Sequence, residues 1–443
     1  MRNVLITLLF IAFSTVFAQT AEQREVNEAA QLEALEPPAE LLAWLGEHAH
    51  PLQSATPTKN DEDLEFLKEM IGEARIVALG EATHGTSEFF TLKHRIVQFL
   101  AEEMDFTVFS IEANMPEAYR LNEYVLTGEG DPEELLAGMY FWTWNTQEVL
   151  DMILWMREFN ASGQGVMQFT GFDMQTPTVA MEEVRAFVEA YDPTYLANLN
   201  GAYAIVSSVY EIRGGQDVSK EELELSKGKA SEILTHLMSN EVAYSAATPG
   251  EIAWAVQNAR IVLQEVQSRL FRAGSLPSDF PSRDESMAAN VEWILERNPE
   301  AKVVLWAHNG HIMEVGRQTG RMGSFLSEKL REDYFSIGFT FYQGDYNARR
   351  QLNGAVKANP ANSAPAESVG GVFHTLGLPL FVLDLREAEQ DKRASWLNGP
   401  RDVRMMIGAV AVKDQYAFSR RYLVEEYDAI IFVDQMTPTD LLE

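Results

Sequence analysis

The most constraining feature of the chain is a strand, a polar turn and a helix in immediate succession. Ala74-Arg75-Ile76-Val77-Ala78-Leu79 is short, apolar and β-branched, the pattern of a buried strand. Gly80–Arg95 follows, reading GEATHGTSEFFTLKHR. Apolar residues then recur at Phe89, Phe90, Leu92, Ile96, Val97, Phe99 and Leu100, which is helical spacing. Thr86 or Ser87 supplies the expected N-cap hydroxyl. Glu81 and His84 therefore fall on a strand-to-helix turn, beside helix N–H groups that favour negative charge. A carboxylate and an imidazole three residues apart on such a turn can act as an orienting partner and its base.

The rest of the chain bounds what this turn can serve. Arg2 followed by the apolar run Val4–Phe17, with Ala18 before the expected cut, reads as an export signal at 1–18. No later stretch is long and apolar enough to span a bilayer. The expectation is an exported protein, periplasmic or extracellular. The sequence contains no cysteine, which excludes thiol nucleophiles, zinc–thiolate sites and disulfides. A formal net charge of −31 repels phosphate backbones, so nucleic acid is an improbable partner. Oligomeric state is not legible.

Taken in order, residues 19–443 can bury one large core, or one core plus a sub-domain. Ala21–Ala49 has the pattern of an amphipathic surface helix, and Asp105–Asn114 of a second strand with Glu112 near its end. The aromatic run Tyr140-Phe141-Trp142-Thr143-Trp144 precedes a helix at Gln147–Asn160. Val166–Met174 is a third strand ending near Asp173. From about 179 to 276 the pattern is helical, read as an insertion, such as a long antiparallel pair, that caps the sheet and sets specificity. Ala301–Ile312 is a strand and turn carrying His308 and His311. Tyr334–Tyr342, Leu380–Arg386 and Asp428–Asp434 are further strands, and Pro360–Gly371 a flexible loop. Strands alternating with helices predict an α/β fold, a mainly parallel sheet with helices on both faces. Ligands of such sheets bind beyond the carboxyl ends of the strands. Glu81, His84, Glu112, Asp173, His308 and His311 all collect there.

Three histidines and two glutamates at one sheet edge support acid–base or metal chemistry. No HExxH helix or DxDxDG loop is present, and no G-x-S-x-G elbow, P-loop or dinucleotide fingerprint occurs. Two readings stay open at this point. One is cofactor-free hydrolysis by a His-activated water. The second is a metallohydrolase using the same residues as ligands.

Four segments together, GEATHGTSEFFTLKHR at 80–95, FSIEAN at 109–114, SRDESMAANVEWIL at 282–295 and WAHNGHI at 306–312, resemble the erythromycin esterase family. The resemblance implies an erythromycin esterase/ChaN-like α/β fold and hydrolysis of a small-molecule ester, in characterised members the macrolide lactone of erythromycin. It implies that His84 is the water-activating base, that Glu81 and Glu112 are the acidic partners, and that His308 and His311 are the second histidine pair. It also implies that Lys93 and Arg283 occupy basic, substrate-binding positions. Lys93 stands where relatives often carry arginine, and so lacks the bidentate fork. No cofactor or metal is expected for the esterase, while the fold kinship implies a further reading, a protein that binds haem or another large apolar ligand through its histidines.

Overall fold

A computed structural model describes residues 37–442, apart from 59, 212–217, 273–280, 315–319, 352–353 and 406. The export signal and the first part of the Ala21–Ala49 helix lie outside the described residues; Ala39–His48 is helical.

Eleven strands are described, in chain order: β1 (His50–Pro51), β2 (Ile76–Leu79), β3 (Phe106–Asn114), β4 (Gln168–Asp173), β5 (Lys302–Trp306), β6 (Tyr334–Arg349), β7 (Val356–Ala361), β8 (Leu380–Asp384), β9 (Arg401–Arg404), β10 (Phe418–Arg421) and β11 (Ala429–Met436). Nine form one sheet, ordered β1-β8-β11-β6-β2-β5-β3-β4 with β7 added on β6. Its six-strand centre, β11-β6-β2-β5-β3-β4, is parallel throughout. β2 and β5 lie side by side at the middle, paired from Ile76↔Val303 to Leu79↔Trp306. All four residues of β2 are buried, as a central parallel strand covered on both faces requires.

The fold is the predicted α/β class, with three departures from the sequence reading. β6 does not stop near Tyr342 but runs on to Arg349 and turns back into β7, whose last residues, Pro360 and Ala361, begin the expected 360–371 loop, and a helix, Val369–His374, takes up its end. The Pro and Ala content of 356–361 hides a strand there. Only one of its edges is paired, so Pro360 costs no ladder bond. The β9–β10 hairpin was not foreseen either. Within 179–276 the described residues form four helices, Thr178–Tyr191, Leu196–Glu211, Lys220–Ser239 and Pro249–Arg272, rather than one long pair. Their apolar faces pack on one another and on the helices Met115–Thr127 and Arg283–Arg297, which flank β4. No described helix is long and apolar enough to cross a membrane.

Candidate active site

β2 and β5 are neighbours, so the turns that follow them must leave the sheet together. They are zipped by backbone bonds: Ala307 N–H donates to Leu79 O (3.2 Å) and Asn309 N–H to Glu81 O (2.9 Å). The Asn309 side chain continues the zipper, donating to Phe339 O (2.7 Å) and accepting from Phe339 N–H (3.0 Å). A Cβ on Gly80 would meet Asn309 Oδ1 at 2.1 Å, so only glycine admits this approach. The adjacent turns place the His84 and His308 rings 5.2 Å apart.

On the first turn Glu81 is fully buried. Its Oε1 lies 2.5 Å from His84 Nδ1. Its Oε2 accepts from Lys93 Nζ (2.6 Å) and from the indole Nε1–H of Trp306 (2.7 Å). Burial works to raise the Glu81 pKa, but Lys93 and His84 together outweigh it and hold the carboxyl below its usual range. An ionised Glu81 can only accept, so His84 donates from Nδ1, and the neutral ring then has its lone pair on Nε2. Burial lowers Lys93 to about 8 against the pull of Glu81.

The second turn has the opposite polarity. The His308 side chain caps the short helix Asn309–Ile312: its Nδ1 accepts from Gly310 N–H at 3.1 Å. Burial, with His84 adding to it, pushes His308 down to about 3, so the ring is neutral. A neutral imidazole whose Nδ1 accepts must carry its proton on Nε2. That Nε2 is buried and has no hydrogen-bond partner among the described residues. The backbone N–H of His308 donates to Glu112 Oε2 (2.9 Å), which ties this turn to β3.

His311 sits between two carboxylates, with Nδ1 2.7 Å from Asp284 Oδ1 and Nε2 3.3 Å from Glu112 Oε1. Burial opposes its charge, but Glu112 and Asp284 raise it to about 9, so both nitrogens are protonated. Arg283 closes the network. Its Nε and one Nη grip Asp173 at 3.0 and 2.6 Å, and the same Nη reaches Glu112 Oε1 at 2.7 Å. Its other Nη lies 3.1 Å from His311 Nε2. Despite burial, the His311 and Arg283 charges keep Glu112 well below the usual carboxylate range.

A cleft of 410 Å³ opens over these groups. Its floor is His84, Glu112, Arg283, His308 and His311, and its walls are Phe141–Trp144, Gln175 and Gly408–Ala409. Trp144 is fixed by its own Nε1–H to Glu112 O (3.0 Å) and meets His84 edge-on at 5.7 Å. The 407–411 segment is pinned by Ile407 N–H to Ala82 O (3.1 Å) and Ala411 N–H to Arg349 O (2.8 Å).

The structure thus brings His84, Glu112, His308, His311 and Arg283 to one cleft, with Glu81 directly beneath His84. Lys93 does not reach it. The side chain is completely buried under Glu81, so it touches the base's carboxylate rather than a substrate. Arg283 is largely committed to Asp173 and Glu112, and its other Nη lies against His311 Nε2. Among the described residues, the helical insertion contributes none to the lining, whose walls are 141–144, Gln175 and 408–409. Thr86 is the N-cap of Ser87–Glu103, but its hydroxyl makes no capping bond. Glu81 likewise serves His84 and Lys93, not the helix N-terminus. Trp306, Asp284 and Gln175 are site residues that sequence reasoning missed. Trp306 and Asp284 lie inside the motifs already singled out, next to the residues that were chosen.

The donor set fits a metal poorly. Each carboxylate is neutralised by Lys93, Arg283 or protonated His311, and His308 Nδ1 is occupied by a backbone donor. Only His84 Nε2 offers a free lone pair, and no group of three ligating side chains with metal-site spacing exists among the described residues.

The sequence profile of the erythromycin esterase family matches residues 101–436, which hold every floor residue except His84. YbfO of Bacillus subtilis (strain 168), whose name assigns only the class hydrolase, is 26% identical over 427 residues, covering 90% of this chain and 92% of that one. Erythromycin esterase type II of Escherichia coli is 27% identical over 329 residues, covering 68% and 77%. The solved erythromycin esterase EreC, in its open conformation, superposes with a TM-score of 0.70 over 88% of this chain and 98% of that one; at 19% identity it speaks to fold alone. The chain belongs to the erythromycin esterase family and is an ester hydrolase.

Proposed function

We propose that this protein hydrolyses a carboxylic ester by direct attack of water, with His84 as the general base and no covalent intermediate. The observation that carries the reading is the opposed polarity of two adjacent imidazoles: His84 keeps a lone pair on Nε2, and His308 keeps a proton there. Water gives a proton to His84 Nε2 as its oxygen bonds to the ester carbonyl carbon. The carbonyl oxygen becomes an oxyanion that His308 Nε2–H and the positive charge of Arg283 stabilise. As the ester C–O bond breaks, His84 returns its proton to the departing alkoxide, leaving an alcohol and a carboxylic acid. A positioned base contributes about 10²–10⁴-fold. One oxyanion donor contributes about 10²–10³-fold.

Glu81 is the counter-ion that steadies the transient imidazolium, and Lys93 keeps Glu81 ionised. The lining has no serine or cysteine among its described residues, which supports water as the nucleophile. The ion-pair floor is equally unsuited to a flat apolar ring such as haem. The cleft volume falls in the usual small-molecule range of about 300–1,000 Å³. A macrolide lactone is the substrate class we propose, supported by the names of two relatives, erythromycin esterases of Escherichia coli.

The test is mass spectrometry of a macrolide and aryl-ester panel in ¹⁸O-water. The reading expects a product heavier by one water, with one ¹⁸O in the carboxylate and no acylated protein at any time. Trapping an acyl-enzyme, or finding no ester turned over, overturns it.

A further inference from the structure

Trp306 touches no part of the cleft floor that meets substrate, yet it holds both members of the ion pair beneath the base. Its Nε1–H donates to Glu81 Oε2 at 2.7 Å. Its ring face carries Lys93, with Nζ 4.3 Å from the centroid, while Phe339 contributes a more distant face at 5.3 Å. The indole is fully buried and locked by edge-on contacts with Phe90 at 4.8 Å and Trp144 at 5.8 Å. As the last residue of β5, paired with Leu79, it is aligned with the Glu81 turn by the sheet itself.

We propose that Trp306 is a positioning residue for hydrolysis: its indole N–H fixes the second oxygen of Glu81 and thereby sets how strongly that carboxylate holds a proton on His84. The proposal rests on His84 being the base. The physical argument concerns charge. Glu81 is faced by Lys93 from the helix Ser87–Glu103, by Trp306 from β5 and by His84 on its own turn. His84 is faced in addition by neutral His308 and by the Glu112 carboxylate of β3. Among the fixed donors, the Trp306 N–H is the one that draws Glu81 charge away from His84 without being a charge itself. Removing it leaves more negative charge on Oε1, which favours the imidazolium. The sign is therefore definite: without the indole donor, His84 titrates at higher pH.

Trp306→Phe tests this, because it deletes the N–H and keeps an aromatic face under Lys93. The first readout is the His84 titration in ¹³C-histidine-labelled protein, assigned with a His84→Asn sample. It needs no substrate, so it stands apart from whether the protein is an esterase. An upward shift of about half a unit to one unit is expected on removal of one hydrogen bond. The second readout is the pH dependence of ester hydrolysis. The acid limb should move up by the same amount, so kcat falls most on the acid side, with KM unchanged. Trp306→Leu, which also removes the face, should lose more kcat than Trp306→Phe. An unmoved His84 titration overturns the proposal. A rise in KM with kcat and the acid limb unchanged also overturns it, since Trp306 would then only shape the cleft. A shifted titration in a protein that turns over no ester would uphold the charge argument and reject the base assignment.

Discussion

The turns after β2 and β5 look alike in sequence: a buried strand, a few polar residues, a glycine and a histidine. Their electrostatics are opposite. On the first, the imidazole Nδ1 faces a buried carboxylate, so the ring offers a lone pair. On the second, the Nδ1 of His308 faces a backbone N–H, so the ring offers a proton. His311, three residues on, is held doubly protonated by two carboxylates. The lesson is that what touches Nδ1 decides what an imidazole does, and a strand-end turn can set either state within 5.2 Å of the other.

The largest separation between the two turns should appear in rate. His84→Ala should lower kcat/KM for a turned-over ester by about 10³-fold or more, as loss of a positioned base does. Its circular dichroism and urea midpoint should stay near wild type. Next, Lys93→Met strands the buried Glu81 charge and should cost about 3–5 kcal/mol in urea unfolding. The equivalent polar loss at the second turn, His308→Phe, should leave stability nearly intact. It should instead lower kcat by about 10²-fold, the usual effect of losing one oxyanion donor. If His308→Phe cost more activity than His84→Ala, the assignments would be reversed.

The pH dependence of stability sharpens the contrast within the second turn. His311 is raised from 6.5 to about 9, so its contribution is full below pH 6.5 and is lost as pH rises through 9. His308 is lowered from 6.5 to about 3, so its contribution is full above pH 6.5 and is lost as pH falls toward 3. Urea midpoints across pH should therefore flatten on the alkaline side in His311→Gln and on the acid side in His308→Phe. The smallest effect is expected at Thr86→Val. An N-cap hydroxyl is commonly worth about 1 kcal/mol. Here the hydroxyl is buried without a capping bond, so the midpoint should hold or rise.

How much of this was legible in the sequence follows from what fixes each residue. Glu81 and His84 share one turn, and a parallel sheet gathers strand ends, so their meeting with Glu112, His308 and His311 could be read from spacing. Lys93 could have been placed better: it lies on the stripe Phe89, Phe90, Lys93, Ile96 and Val97, which is buried. Its charge suggested substrate, whereas its position in the helix puts it under Glu81. The opposed tautomers were out of reach, because they depend on what meets each Nδ1, a carboxylate oxygen at His84 and the Gly310 N–H at His308, contacts that no periodicity encodes. The walls at 141–144 and 407–409 come from irregular segments, whose placement rests on tertiary bonds such as Ile407 N–H to Ala82 O. The helical insertion was legible as helix but not in its place, because an apolar stripe does not name its partner.

The central claim is that the two facing imidazoles hold opposite tautomers. Long-range ¹H–¹⁵N correlation spectra of ¹⁵N-histidine-labelled protein at neutral pH report this directly. The account predicts the proton on Nδ1 for His84, on Nε2 for His308 and on both nitrogens for His311. A proton on Nδ1 of His308, or His84 carrying its proton on Nε2, would contradict it.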